Sequence, residues 1–395
     1  MRIGFIIYGT LDALSGGYLY DRIVVQGLTR LGHQVEVISL PSGSYLRRLG
    51  QGFSIRLGRR LLAGGFDVLI EDELCHPSLF LVNSWLRRRA GPPLVALVHH
   101  LLCQEPRPGL INRLLAVAER RYLASVHGFI HNSETTRRNV ASLVEHNRPQ
   151  IVASPAGDRL GTPLGGDVIA KRALTGGPLQ LLFVGNVIPR KGLLPLLEAL
   201  AWVAPDRWRL SVVGGLEVDA AQTARARQLV RRYGLVESVR FLGPLPDGQL
   251  VALLRASHIF CMPYAYEGFG IAILEAMAFG LPALGSCQGA AGEIIRHGSN
   301  GFLLAPGDHG ALATLIAELH QDRLGLQKRA LAALATYNGR PGWQEGVTAI
   351  EGFLRQLQAG ATAASHPPTP APQNAAGPRA AADFIKNSRG TESGG

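Results

Sequence analysis

Short runs of consecutive apolar residues recur along the chain, each followed by a stretch in which apolar positions return every three or four residues. In the first part the runs fall at 2–8 (RIGFIIY), 34–39, 66–70, 94–98, 125–131 and 151–154, and in the second at 179–185, 208–213, 238–242 and 258–262. Runs of this length, bounded by Gly, Pro or Asn, are the pattern of strands buried on both faces of a parallel sheet. Helical spacing fills the intervals, as at 18–31, from 193, at 311–320 and at 324–337. Strand and helix in alternation predict an α/β fold with parallel sheets.

The alternation breaks at 155–178, which is rich in Gly and Pro and reads as a linker. One α/β domain is therefore expected over 1–154 and a second over 179–340. An amphipathic helix follows within 341–357, and 358–395, rich in Ala, Pro, Gly and Ser, reads as a disordered tail. A chain of 395 residues has ample length for two cores.

Composition narrows this picture in a few places. With 47% hydrophobic and 17% charged residues, the chain is globular and not disordered. No apolar run approaches the roughly 18–20 residues of a membrane-spanning helix. The N-terminal run is too short for a secretory signal, so a cytoplasmic location is expected. Cys75, Cys103, Cys261 and Cys287 are far apart, without a C-x-x-C pair, and read as buried free thiols. No metal site is expected.

The net charge of +11 is unevenly placed, since 21 of the 40 basic residues but only 13 of the 29 acidic ones lie in 1–178. Such a bias attracts anionic lipid, nucleic acid or a phosphorylated substrate, and charge alone does not choose among them. Within 45–62, Leu46, Leu49, Phe53, Leu57 and Leu61 follow helical spacing beside Arg47, Arg48, Arg56, Arg59 and Arg60. That pattern suits either a basic amphipathic helix on an anionic membrane or an ordinary helix with its arginines in water. Gly50, Gly52 and Gly58 weaken any helix there.

The densest chemistry lies at 261–284, CMPYAYEGFGIAILEAMAFGLPAL. A strand breaks at Pro263, a loop carries Glu267-Gly268-Phe269-Gly270, and a helix former follows until Gly280 and Pro282 stop it. Glu267 thus stands just before a helix and Glu275 inside it, with unpaired backbone N–H groups between them. Two carboxylates flanking such a nest make a clamp for a polyhydroxylated, phosphorylated ligand. Upstream, Arg190 and Lys191 fall in a strand-to-helix turn, where cations and a helix N-terminus act on the same anionic group, as a diphosphate requires. Lys191 is one of only four lysines, which makes its position informative. In the first part, the Gly-rich turn 9–17 and the strand ends at Glu71, Asp72 and His99 occupy the places where α/β sheets bind ligands.

The 261–284 stretch resembles the E-x7-E signature of retaining glycosyltransferases of family GT4. That resemblance implies the GT-B fold: two Rossmann-like domains with parallel sheets facing each other across a deep cleft, with the 341–357 helix returning to the first domain. FVGNVIPRKG at 183–192 resembles the family's F-V-G-R-x-x-x-x-K-G step, except that Asn186 stands where Arg is common, so Arg190 would replace that charge. The resemblance implies that Lys191 and Arg190 bind the donor diphosphate, that Glu267 with the Gly268, Phe269 and Gly270 amides holds the transferred sugar, and that Glu275 holds the ribose. It places Gly16 and Gly17 by the donor phosphates and a histidine beside the donor sugar. His99 matches that histidine best, with His100 replacing the usual Asp, and the choice between the two stays open.

The expected activity is retaining transfer of a hexose-type sugar, without metal or cofactor, from a UDP-, GDP- or ADP-sugar to a hydroxyl acceptor. A lipid-linked or glycan acceptor in cell-surface polysaccharide, glycolipid or related synthesis fits, as does an anionic membrane surface met by the basic first domain at the inner face of the cell membrane. No nucleic acid partner is expected. Another GT-B enzyme, an epimerase or phosphorylase, and a non-catalytic nucleotide-sugar binder are the alternatives. A nicotinamide-dependent oxidoreductase is disfavoured because the first turn is not G-x-G-x-x-G.

Overall fold

A computed structural model of the protein describes residues 1–365, residues 14, 106 and 146 excepted; the part of the expected tail at 366–395 lies outside the described residues. The first half strings β1 (Arg2–Tyr8), α1 (Gly16–Arg30), β2 (Gln34–Leu40), α2 (Tyr45–Gln51), α3 (Ile55–Ala63), β3 (Val68–Asp72), α4 (His76–Arg87), β4 (Leu94–Val98), α5 (Gly109–Leu123), β5 (Gly128–His131), α6 (Glu134–Leu143) and β6 (Gln150–Val152). These strands form one parallel sheet in the order β2-β1-β3-β4-β5-β6.

The second half repeats the plan with α7 (Gly166–Leu174), β7 (Leu179–Val184), α8 (Leu193–Leu200), β8 (Trp208–Val213), α9 (Ala220–Arg232), β9 (Val239–Gly243), α10 (Asp247–Ala256), β10 (Ile259–Cys261), α11 (Ile271–Ala278), β11 (Ala283–Ser286), β12 (Gly301–Leu304), α12 (His309–Gln321) and α13 (Arg323–Asn338). Its sheet, also parallel, runs β12-β11-β10-β7-β8-β9. Central strands β3, β4 and β5 are buried along their whole length, so they do not alternate; β4 is apolar throughout, while β3 and β5 end in the buried polar residues Glu71, Asp72 and His131.

The final helix, α14 (Trp343–Ser365), continues past residue 357, where the tail was expected to begin. It packs on α1: Val347 lies so close to Gly27 that a Cβ there would come within 2.6 Å of it, and Phe353 and Leu354 join Ile3 and Phe5 in the first half's core. The chain therefore crosses between the halves twice, and the crossings touch, because Asp158 accepts the backbone N–H of Trp343.

Three readings of the sequence are corrected here. The stretch 155–178 is not a bare linker, since α7 lies in it and Leu164, Ile169 and Ala173 enter the second half's core. Its Gly and Pro residues bound a short helix that composition alone conceals. The segment 45–62 is two helices and not one, separated at 52–54, with Ser44 and Ser54 each capping a new start. The four cysteines are free, but Cys287 is exposed and Cys103 half-buried.

Candidate functional site

The carboxyl ends of the two sheets open onto one shared cleft of about 480 Å³. Gly16, Gly17, His99 and His100 line it from the first half, and Asn186, Arg190, Lys191, Glu267, Gly268, Phe269, Gly270 and Glu275 from the second. The residues that the resemblance assigns to the donor site are therefore brought to one place. Glu71 and Asp72 are the exception among the strand-end candidates. They are buried beneath the floor, and Glu71 is held by Asn83 at 2.9 Å.

The turn after β7 bends through Gly192 in the left-handed region (φ 77°), and a Cβ there would lie 2.2 Å from the carbonyl oxygen of Pro263. Only glycine permits both the conformation and the approach. The two loops are thus pressed together, and their charges meet. Glu267 accepts from Lys191 Nζ at 2.5 Å and from Arg190 Nη1 at 3.1 Å, while the same guanidinium donates to the Tyr266 carbonyl at 3.0 Å. Burial alone would raise the Glu267 pKa, but the two cations outweigh it and hold the carboxyl down at about 2. Burial lowers the Lys191 pKa, with Glu267 opposing. Within this cluster two cations oppose one carboxylate, and Arg190 Nε also lies 3.9 Å from Glu105 Oε1, which His100 and Arg107 hold as well. Asn186 keeps the neighbouring turn in place by accepting the Gly215 N–H at 3.1 Å.

Glu275, in the middle of α11, is buried and paired with Arg159 (2.8 Å), whose Nη1 also reaches Asp247 at 2.6 Å. Its burial raises the carboxyl pKa and Arg159 opposes that. Sequence reasoning missed Arg159 and Asp247. Arg159 sits in the supposed linker, and only its spacing one residue after an Asp in a Gly-rich stretch marks the turn that aims it inward.

Across the cleft, His99 is buried with Nε2 2.8 Å from Asp21 Oδ1 on α1 and its ring edge-on to Tyr20 at 5.4 Å. Burial lowers its pKa, but Asp21, with Asp72 and Glu73 behind, prevails and pushes it up to about 9, so the imidazole is cationic at neutral pH. His100 turns to Glu105 instead, at 2.9 Å. The floor below His99 is unusually acidic. Burial pushes Glu71, Asp72 and Glu119 up to about 7 and raises Glu73 well above the ordinary carboxylate range. Asp21, Asp72 and His99 form one set of potential cation ligands within 4.8 Å of one another, and Glu73, His76 and Glu119 form another. With their pKa values raised to about 7, Asp72 and Glu119 can instead carry their own protons.

The halves also grip each other. Gly268 lies against the first half, where a Cβ would come 2.1 Å from the His99 carbonyl oxygen, and its own carbonyl accepts from Ser133 Oγ at 2.9 Å. Glu293 accepts the backbone N–H groups of Glu134 and Thr135, at 3.0 and 2.6 Å. A carboxylate of the second half thus caps α6 of the first.

Two parallel sheets with a cleft between their carboxyl ends are the GT-B fold. Two solved structures share this fold: sucrose-phosphate synthase from Thermosynechococcus elongatus (TM-score 0.77, 20% identity, covering 91% of this chain and 99% of that one) and Anabaena HepE in complex with UDP and glucose (0.72, 22%, 90% and 99%). Residues 20–157 match the glycosyl transferase 4-like domain and 167–336 the glycosyl transferases group 1. Similar chains include a phosphatidyl-myo-inositol mannosyltransferase of Mycobacterium leprae, 30% identical over 87% of this chain and 93% of the relative. A D-inositol 3-phosphate glycosyltransferase of Nocardia farcinica is 28% identical over 83% of this chain and 81% of the relative. The chain belongs to the group 1, GT4-type glycosyltransferases.

Proposed function

We propose that the protein moves a hexose-type sugar, with retention of configuration and without a metal, from a nucleotide-diphosphate sugar to a hydroxyl acceptor. The observation that carries this reading is the Arg190–Lys191–Glu267 cluster, in which two cations oppose one carboxylate across a closed cleft from buried, cationic His99. A donor diphosphate would take up Lys191 and Arg190, and those cations would stabilise the charge that grows on it as the sugar leaves. In transfers of this kind that electrostatic contribution is typically the largest. Glu267, with the Gly268 to Gly270 backbone, would hold the sugar, and Glu275 the ribose once Arg159 yields part of its hold. His99 would orient the sugar from the other side. The leaving phosphate itself would take the acceptor's proton, so no protein base is needed. The solved Anabaena relative held UDP and glucose, which supports a uridine donor.

The acceptor would approach from the first half. Its basic surplus supports a lipid-linked acceptor and peripheral attachment at the inner face of the cell membrane, and no helix among the described residues is long and apolar enough to cross a membrane. Hydrolysis of UDP-, GDP- and ADP-sugars followed by intact mass, with isothermal titration alongside, tests the donor half. Turnover of one of them is expected, and a protein that binds none would overturn the reading.

A further inference from the structure

α2, α3 and α5 leave large apolar side chains in solvent with nothing packed on them. Leu46 on α2 is 79% exposed, and Phe53 and Ile55, at the junction with α3, are 77% and 60% exposed. On α5, Leu110, Leu114 and Val117 recur at intervals of four and three residues and are 71%, 66% and 51% exposed. Residues so spaced share one helix face. That face is not the core face of α5, which carries Leu115, Tyr122 and Leu123.

These helices lie together. α2, α3 and α5 all pack on α4, and Tyr45 of α2, His76 of α4 and Tyr122 of α5 form a continuous line of rings. The apolar residues therefore belong to one side of the first half. α5 starts just after the loop of His100 and Glu105, so the Leu110 end of its stripe stands near the mouth of the cleft.

The exposed charge on the helices themselves is basic, while carboxylates of the flanking strand and loop pair with their edge, Glu36 with Arg60 and Glu105 with Arg107. Arg47, Arg56, Arg59, Arg113, Arg120 and Arg121 are all exposed, and α2, α3 and α4 contain no carboxylate. The single carboxylate of α5, Glu119, is buried and accepts the N–H of Leu102. Water-exposed Leu and Phe among arginines, on helices whose one carboxylate is buried, fit a surface that is apolar at depth and anionic above. Nucleic acid would match the arginines but would gain nothing from Leu110, Leu114 and Leu46, and a soluble acidic partner would need a shaped groove that a convex stripe does not offer.

We propose that this side of the first half is a docking face for an anionic lipid bilayer, with α5 and the α2–α3 junction seated among the headgroups and the cleft mouth held at the membrane surface. That a lipid-borne acceptor is delivered there rests on the transferase reading; the docking face does not.

The test is co-sedimentation of the full chain with phosphatidylcholine vesicles, with and without phosphatidylglycerol. Binding is expected only with the anionic lipid, weakened by salt. Leu110→Glu/Leu114→Glu on α5 and, separately, Leu46→Glu/Phe53→Glu should each lower the vesicle partition coefficient at least about tenfold, with melting temperature and UDP-sugar titration unchanged. A wild-type chain that stays in the supernatant, variants that sediment like wild type, or equal binding to neutral vesicles would overturn the proposal. So would duplex RNA displacing the chain from vesicles while the leucine variants bind RNA less well. Vesicle binding by a chain that binds no nucleotide sugar would sink the transferase reading and leave the docking face standing.

Discussion

Asp21 reaches across from α1 to His99 at the end of β4, 2.8 Å from Nε2, with both side chains shut away from solvent. The bond fixes which ring nitrogen is left for the cleft, and it keeps the ring charged. A histidine pKa raised to about 9 means that the bond's stabilisation is fully present below about 6.5 and is lost as pH rises through about 9. Asp21→Asn should therefore move the basic limb of kcat/KM toward about 6.5, with a larger loss of activity at pH 8 than at pH 6. A uniform loss at all pH values would show that Asp21 serves only packing.

Lys191→Ala should lower kcat on the order of 10², because a cation aimed at the leaving diphosphate matters more as the bond breaks. Near-normal turnover at saturating donor would remove that role. The complementary experiment lies at Glu267, whose pKa is held down at about 2 by its two cations. The stability that pairing contributes is fully present above the ordinary carboxylate range and is lost as pH falls toward about 2, so acid unfolding of Glu267→Gln should lack the final part of that transition.

Glu275→Ala is expected to weaken donor binding with little change in kcat. It should also destabilise the fold by about 2 kcal/mol, since it strips a half-buried Arg159 of one of its two carboxylates. Urea unfolding measures the second effect and titration calorimetry the first. A variant with full stability would mean that Asp247 alone satisfies the guanidinium.

Gly268→Ala should abolish transfer while leaving each half folded, because a Cβ 2.1 Å from the His99 carbonyl forces the halves apart. Glu293→Ala should act in the same direction but more gently, costing about 1 kcal/mol of helix capping across the cleft. Small-angle scattering would register both as a larger radius of gyration, and an unchanged radius for Gly268→Ala would count against the closed arrangement as the working state.

Strands β1, β3 and β4 are plain in the sequence because the stretches buried on both faces are runs of apolar residues (3–8, 68–70 and 94–98), and the chemistry at 261–284 and 190–191 is plain because charged residues beside glycines at strand ends have few structural uses. What stayed hidden depends on which halves meet. Nothing local to Asp21 marks it, since its partner lies 78 positions away on another strand. Arg159 was lost in a stretch whose Gly and Pro content suggested slack chain. That Glu293 caps a helix of the opposite half shows only where the turn 289–293 docks against α6. The split of 45–62 into two helices follows from Gly52 and the capping serine at 54, both visible in the sequence, but their effect was outweighed there by an apolar spacing that runs through them.

The contact between Asp158 and Trp343 has a mechanical consequence. Two chain crossings placed side by side and tied to each other act as a single axis. Any swing of the halves would run about that axis, since two tied crossings restrict drift and twist more than one tether does. Opening to admit a donor would then be largely a one-parameter motion, in which the Glu293 cap and the Ser133–Gly268 contact would separate in step.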